Sequence, residues 1–322
     1  MKNVYIFGSN GQDGKLLTEL LIEKDVKCNL ILFSKKSVLI NFFGDRREKK
    51  ISNNYTYITL INSIFAKYPP NIIFYFAAVH FSASEFKNEI SENELNNMNF
   101  VNYLLPVHIF NYCNNYEISA KMLFTSSSLV FSNSDQSPQS EKTIRRPSCI
   151  YGKQKVLVED YLSFANKKFN TSVYTAILYN HESFYRKDKF FTKKLISFCS
   201  NYKSNQKEKK LELFNKNAYV DMGYAPEYVK AMFELVNQGK PGSYVFATQK
   251  LMNIGNFVKE VLKFYDLDED VINFNNFEPR NKTQLLGLNQ KLKDEIDWEP
   301  KFYKNKLVKK LCEDYEKLKI FN

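Results

Sequence analysis

Apolar positions along the chain fall into two kinds of pattern, short continuous runs and sets at helical spacing. Val4-Tyr5-Ile6-Phe7 is a continuous β-prone run, the signature of a strand buried on both faces. Leu16, Leu17, Leu20, Leu21 and Ile22 then recur at helical spacing, and Cys28 to Phe33 forms a second apolar run. Asn71 to Ala78 and Met122 to Thr125 repeat the strand pattern, with Asn99 to Cys113 reading as a crossover helix between them. Tyr151 opens a further helix that continues through Val156, Val158, Tyr161 and Leu162. Strands alternating with helices predict an α/β fold with a doubly wound parallel sheet. A smaller C-terminal lobe should complete it. Residues 1–178 are assigned to the sheet domain, with 214–250 partly returning to it, and 179–213 and 251–322 to the lobe.

Between the first run and the first helix stands Gly8-Ser9-Asn10-Gly11-Gln12-Asp13-Gly14. Strand, glycine turn, helix and strand together form the context in which such a turn holds a dinucleotide. The first glycine permits the tight turn, the second lets backbone approach a pyrophosphate, and the third lets helix pack on strand. The helix N-terminus adds unpaired N–H groups for the phosphates. The spacing is GxxGxxG, the short-chain dehydrogenase form of a Rossmann turn. A glycine turn without a ligand is the bland alternative.

After the second run, Phe33-Ser34-Lys35-Lys36-Ser37 contains no carboxylate to accept a ribose 2′-hydroxyl. Hydroxyls and lysines suit a 2′-phosphate, so Ser34, Lys35 and Lys36 point to NADP(H), although two lysines in a loop are also what a solvated turn displays. Ala77 and Ala78 end the third run with side chains small enough for backbone to pass a cofactor, or for a helix to pack on the sheet.

The chemistry rests on three residues. The fourth run leads into Ser126-Ser127-Ser128, and Tyr151 and Lys155 stand one helical turn apart on one face. A free phenol with a pKa near 10 is a poor base at neutral pH. A neighbouring ammonium stabilises the tyrosinate, and a serine hydroxyl holds the substrate oxygen that gains or loses the proton. Ser127, Tyr151 and Lys155 are the expected catalytic set, with Ser128 beside the substrate.

Composition narrows the setting. At 322 residues with 44% hydrophobic positions, the chain suits a large α/β domain plus a lobe. No apolar run approaches the roughly 18–20 residues of a membrane span. The apolar start is shorter than the roughly 7–15 residues of a secretory core, so a cytoplasmic protein is expected, with no membrane partner. Five cysteines without CxxC spacing indicate neither zinc nor a disulfide framework, and no metal is expected. The net charge of +11 suits an anionic ligand. The densest basic stretch, Lys203 to Lys210, lies in no nucleic-acid module, so no nucleic-acid partner is expected.

Several segments together resemble the GDP-mannose 4,6-dehydratase branch of the extended short-chain dehydrogenase/reductases (NAD-dependent epimerase/dehydratase family). Gln12-Asp13 follows the second glycine, and Tyr179-Asn180-His181-Glu182-Ser183 is the most specific match. Asp221-Met222-Gly223, Glu227-Tyr228, Tyr244-Val245-Phe246-Ala247-Thr248, Leu285-Leu286-Gly287 and Trp298-Glu299-Pro300 continue it over nearly the whole chain. The resemblance implies that Gly8, Asn10, Gly11, Gln12, Asp13 and Gly14 cradle the cofactor and that His181 and Arg186 contact NADP. It implies that Asn180, Thr192 and Lys193 face a nucleotide-diphosphate sugar, GDP-linked, and that the protein pairs as a homodimer or homotetramer through helices beside the Tyr-Lys helix.

Departures from that pattern carry information. Two positions after the catalytic hydroxyl the dehydratases have a glutamate that removes the C5 proton, and here Leu129 stands there. Val220 and Glu278 replace two arginines that help hold the diphosphate, and Arg280 or Lys282 is placed to compensate. The surviving set suffices for hydride transfer at one carbon. A C4 keto-reductase is therefore expected ahead of a C4 epimerase or a 4,6-dehydratase. A non-catalytic NADP(H)-binding sensor or scaffold is the alternative of another class.

Overall fold

The structure is a computed structural model, and it describes residues 1–42, 45–50, 53–80, 90–168, 172–202, 210–275 and 284–320. The chain begins β1 (Lys2–Phe7), α1 (Gln12–Glu23) and β2 (Cys28–Phe33), then turns back through β3 (Ser37–Phe42) and β4 (Asp45–Lys50). Next come α2 (Asn54–Lys67), β5 (Ile72–Tyr75), α3 (Glu92–Asn99), a π-helical turn at Phe100–Leu104, α4 (Leu105–Asn115) and β6 (Lys121–Ser127). The Tyr-Lys helix is α5 (Ile150–Lys168), followed by β7 (Ser172–Leu178), β8 (Asn180–Glu182) and α6 (Phe191–Tyr202). The chain closes with β9 (Leu211–Phe214), β10 (Tyr219–Tyr224), α7 (Ala225–Gln238), β11 (Gly242–Phe246), β12 (Leu251–Asn253), α8 (Ile254–Tyr265), β13 (Ile272–Asn275), α9 (Gln290–Ile296) and α10 (Lys304–Lys319).

The main sheet has eight strands in the order β11-β7-β6-β5-β1-β2-β3-β4. From β11 to β2 every pairing is parallel. This is the α/β architecture expected from the alternation of strands and helices. One edge differs from the expected all-parallel sheet: β2–β3 and β3–β4 are antiparallel. The reason is local. Ser34 N–H donates to the Ser37 carbonyl at 2.8 Å and the Ser34 hydroxyl caps the same turn, so the chain reverses within Lys35-Lys36 instead of crossing over.

Each face of the sheet is covered by its own core. One holds α2, α4 and α5 against Tyr5, Phe7, Phe33 and Tyr75; the other holds α1 and α7 against Val4, Ile6, Phe74 and Phe246. The aromatic-rich composition finds its use here. Phe7 stacks on Phe33 at 4.6 Å and on Tyr75 at 5.6 Å across three adjacent strands, and rings of that size bury much apolar area per residue. A separate core centred on Leu195, Phe257, Val261 and Leu311 supports the small sheets β12-β10-β8 and β13-β9. No helix among the described residues is long and apolar enough to cross a membrane.

Strand order reverses between β1 and β5, since β1 leads through α1 to β2 on one side while β5, β6 and β7 extend on the other. Parallel sheets open a crevice for ligands at such a point, beyond the carboxyl ends of the strands. Gly8 and Ala77 meet in that crevice, and the candidate residues gather round it.

Candidate functional site

The glycine turn is built by packing before any ligand is considered. Gly8 has φ +87°, and a Cβ on it would stand 2.7 Å from the Ala77 amide nitrogen. At Gly14 a Cβ would meet the Gly8 carbonyl oxygen at 2.4 Å. At Gly11 the only contact within van der Waals range is that same oxygen at 3.1 Å, so its outer side is open. Gly8 and Gly14 thus close helix and strand together, and Gly11 exposes backbone as the N-cap of α1, with no side chain capping that end. An uncapped helix start above a glycine cradle suits a pyrophosphate.

Gln12 and Asp13 turn away from that mouth. Gln12 Nε2 donates to the His181 carbonyl at 3.0 Å, and the Ser183 hydroxyl donates to Gln12 Oε1 at 2.9 Å. His181 Nε2 faces the Asp13 carboxylate at 3.1 and 3.2 Å, while Nδ1 faces the Tyr179 carbonyl at 2.9 Å. The His181 ring also stacks on Tyr228 at 5.2 Å. Two sequence motifs some 168 positions apart are therefore one physical junction between α1 and β8. Burial alone would lower the His181 pKa, but the Asp13 carboxylate outweighs it and the net shift is upward. Burial would likewise raise Asp13, and the imidazolium brings it below the usual carboxylate value. Acceptors at both nitrogens, the Tyr179 carbonyl and the Asp13 carboxylate, favour the charged imidazole.

Arg186 stacks over Phe190 at 4.0 Å, with Nε 3.4 Å from the Glu182 carboxylate. That Nε is buried without a hydrogen-bond partner among the described residues. An unsatisfied buried guanidinium donor is costly, and a bound anionic cofactor would relieve it. Open Gly11 backbone, an uncapped α1 and this donor together fit a nicotinamide dinucleotide. At the far end of β2, Lys35 and Lys36 are exposed in the tight turn, whereas Ser34 is buried with its hydroxyl committed to Ser37.

Ser127 ends β6, and Tyr151 and Lys155 stand in the first turns of α5, with Lys155 against β6 at Thr125. The Ser127 hydroxyl accepts from Leu129 N–H at 3.2 Å and so caps the turn that follows the strand, with Ser128 buried next to it. Lys155 is fully buried. Its Nζ donates to the Thr125 carbonyl at 2.7 Å, lying 4.5 Å from the Phe124 ring centre and 5.5 Å from that of Tyr151. Burial pulls the Lys155 ammonium down to about 7, opposed by the negative charge of Glu159. Burial also pushes the Tyr151 phenol well up, helped by Cys149 and Asp13 and opposed by Arg186. Without a cofactor in the crevice, burial therefore favours the neutral form of the phenol.

The substrate-facing expectations fare unevenly. Asn180 is exposed at the head of β8, but the Thr192 hydroxyl donates to Glu182, and Lys193 Nζ donates to the Phe184 carbonyl at 2.9 Å. Lys193 is also enclosed by the Phe184 and Tyr315 rings, 3.5 and 4.4 Å from their centres, and burial lowers it to about 8. Both side chains are thus engaged inside the lobe. Arg280, Lys282 and Glu278 lie outside the described residues, as does the stretch 203–209.

Sequence reasoning missed four residues at this site. Buried Asn102, on the π-turn, exchanges hydrogen bonds with Val79 backbone (2.9 and 3.0 Å) and donates to Gln154 Oε1 at 2.9 Å, tying the segment after β5 to α5. His80 meets the Tyr151 ring edge-on at 4.7 Å. Glu159 and Arg145 pair at 3.0 Å below Lys155. An asparagine amid the apolar positions of a helix, and a carboxylate one turn beyond Lys155, were the available signals.

Residues 5–311 match the family described as GDP-mannose 4,6 dehydratase. The chain belongs to this family. It stands among the extended short-chain dehydrogenases, as a nucleotide-sugar modifying enzyme that uses a nicotinamide dinucleotide. GDP-mannose 4,6 dehydratase 1 of Arabidopsis thaliana is 27% identical over 97% of this chain and 89% of its own length. The GDP-mannose 4,6 dehydratase of Dictyostelium discoideum is 26% identical over 99% and 97%. GDP-mannose 4,6-dehydratase sdnI of Sordaria araneosa is 23% identical over 96% of this chain, which spans 60% of its length. Among solved structures, UDP-glucose 4-epimerase of Thermotoga maritima with UDP-glucose superposes with TM-score 0.81 at 17% identity, covering 98% of this chain and 99% of that one. RMD of Pseudomonas aeruginosa complexed with NADPH gives 0.77 at 15%, covering 98% and 100%.

Proposed function

We propose that the chain is an NADP(H)-dependent keto-reductase that acts at C4 of a nucleotide-diphosphate sugar, GDP-linked. The observation that carries the reading is Leu129 where a proton-abstracting carboxylate would have to stand, with Tyr151 beside buried Lys155. Gly8, Asn10, Gly11 and Gly14 would hold the cofactor pyrophosphate over α1, with Ala77 and Ala78 lining the crevice. Gln12, Asp13 and His181 would shape that wall from behind, Arg186 would contact the cofactor, and Lys35 and Lys36 would meet its 2′-phosphate beside Ser34. When bound, the cofactor supplies a hydride.

The chain's own residues supply the rest. Ser127 orients the substrate oxygen by donating to it, with Ser128 adjacent. Tyr151 gives its proton to that oxygen as the carbonyl becomes a carbinol. Lys155 then stabilises the tyrosinate until solvent returns the proton. Reduction draws this proton from the phenol, whereas oxidation would have to begin from the tyrosinate.

The family's naming favours a second reading, 4,6-dehydration. It would need a base that Leu129 cannot supply, and His80, edge-on to Tyr151 at 4.7 Å, is one ionisable side chain near the phenol. C4 epimerisation is the third possibility, and NADP(H) sensing without turnover the reading of another class. The pairing surface is the outer face of α5, where Ile150, Leu157 and Phe164 are exposed at seven-residue spacing beside exposed Leu104, and a homodimer would cover them.

A panel of nucleotide sugars, each incubated with NADPH or NADP and followed by mass spectrometry, tests these readings. Reduction adds two hydrogens to a 4-keto-6-deoxy sugar. Dehydration removes one water from a GDP-hexose. Epimerisation leaves mass unchanged but alters chromatographic retention, and a sensor turns over nothing.

A further inference from the structure

We propose that Glu159 is a positioning residue for Lys155, its buried carboxylate holding the ammonium charged and in place beside Tyr151. The proposal rests on the reading that Tyr151 and Lys155 move the proton.

The geometry begins with α5. Tyr151, Lys155 and Glu159 follow at four-residue intervals and so share one face of the helix. That face is turned to β6. Lys155 Nζ meets the Thr125 carbonyl at 2.7 Å, and Glu159 Oε1 receives the hydroxyl of Ser126, the next residue along the strand. The other oxygen, Oε2, accepts from Arg145 Nε at 3.0 Å. Arg145 is itself fixed, its Nη1 donating to the Glu141 and Thr143 carbonyls at 2.6 and 2.9 Å. The carboxylate is therefore anchored to the strand that presents Ser127 and to the helix that carries Tyr151 and Lys155.

A charge in this position matters because Lys155 has little else to sustain it. The ammonium is wholly buried, and among the described residues its contacts are neutral: the Thr125 carbonyl and the Phe124 and Tyr151 rings. Glu159 is the charged group that opposes the desolvation of Lys155. Asp13 and Arg186 act on Tyr151 from α1 and from beyond β8, and they partly cancel. Burial raises the Glu159 carboxyl on balance, neighbouring Asp160 adds to this, and Arg145 and the Ser126 hydroxyl oppose it by favouring the carboxylate. A strut that merely joined α5 to β6 would need the two hydrogen bonds but not the charge. That difference makes the proposal testable.

Glu159→Gln keeps an acceptor for Arg145 and removes the charge. Lys155 is followed without substrate by an NMR titration of lysine labelled at Cε and Nζ, assigned by the signal lost in Lys155→Met. The expected midpoint in Glu159→Gln lies roughly one to two units below that of the unaltered protein, from one charge about one helical turn away at an effective dielectric near 20. Glu159→Asp keeps the charge and should stay within roughly half a unit of the unaltered midpoint. Turnover of NADPH by Glu159→Gln should fall about ten-fold at pH 8 and recover toward pH 6, as Lys155 regains its proton.

An unchanged midpoint in Glu159→Gln overturns the proposal, and so does an equal drop in both variants. Thermal unfolding confirms that each variant is folded, and if Glu159→Gln is not, Glu159→Asp alone overturns the proposal by dropping a unit or more. If the unaltered protein turns over no nucleotide sugar while the midpoints move as stated, the reductase reading falls and the role of Glu159 stands.

Discussion

Two polar clusters line the crevice at the carboxyl ends of the strands, and they are built on opposite plans. At the junction of α1 with β8, Gln12, Asp13, His181 and Ser183 satisfy one another, and the pKa shifts of Asp13 and His181 both favour the ion pair. At the head of α5, burial drives Tyr151 toward its neutral acid and Lys155 toward its neutral amine. The first cluster is stabilised by its charges, while the second is kept at a cost to stability. Groups held against their solvent preference tend to mark sites of chemistry, and groups at ease mark scaffolding. The His181 motif, the most recognisable piece of the sequence, thus belongs by its hydrogen bonds to the scaffold, and the weak Tyr-Lys pattern belongs to the reactive side.

Substitutions should separate the two plans. The largest effect is expected for Tyr151→Phe, which removes the proton donor and keeps the ring. Turnover should drop about 10²–10⁴-fold, with NADPH affinity and melting temperature nearly unchanged. Steady-state kinetics beside calorimetry reads both, and surviving activity would move the chemistry elsewhere.

Asp13→Ala is the matching change on the scaffold side. It strips the buried His181 ring of its carboxylate partner, so burial favours the neutral imidazole, and the loss of the hydrogen bond should cost about 1–3 kcal/mol, measured by denaturant unfolding. The coupling between Asp13 and His181 has a pH window. His181 has a raised folded pKa, so its contribution is complete below the unfolded value of 6.5 and is lost as pH rises through the folded value. Asp13 has a lowered one, so its contribution is complete above 3.8 and is lost as pH falls through the folded value. A double-mutant cycle should therefore find its largest coupling between those limits.

The effect that is smallest per unit of pH concerns Lys155→Met. Because the folded pKa of Lys155 is about 7 against an ordinary 10.5, the unfolded chain holds the extra proton between those values. Stability of the unaltered protein should therefore rise relative to Lys155→Met by roughly 1 kcal/mol per pH unit across that range. A parallel pair of stability curves would mean that Lys155 is not desolvated, and the contrast between the two clusters would fail.

Much of this arrangement was legible in the sequence because it is local. The run Val4 to Phe7, the glycine turn and the Leu16–Ile22 periodicity specify strand, turn and helix from neighbouring residues alone, and Tyr151 and Lys155 share a helix face by spacing. The reversal at Lys35-Lys36 was not legible, since it depends on the Ser34 hydroxyl closing a turn within a polar stretch that also suits a phosphate loop. Nor could spacing disclose that His181 spends both ring nitrogens inside the chain, or that Lys193 is caged by Phe184 and Tyr315. Those facts depend on packing between distant segments. Leu129 was legible as an absence, and the structure adds His80 as a side chain a rival reading would use.

The most direct test of the central claim is to incubate the purified chain with GDP-mannose and NADP and weigh the nucleotide sugar. A site that reduces a ketone with Tyr151 as acid, and has no carboxylate at position 129, should return GDP-mannose at its original mass. It should in turn add two hydrogens to a 4-keto-6-deoxy counterpart when NADPH is supplied. Recovery of a product lighter by one water would contradict the account and assign the chain to dehydration through another base.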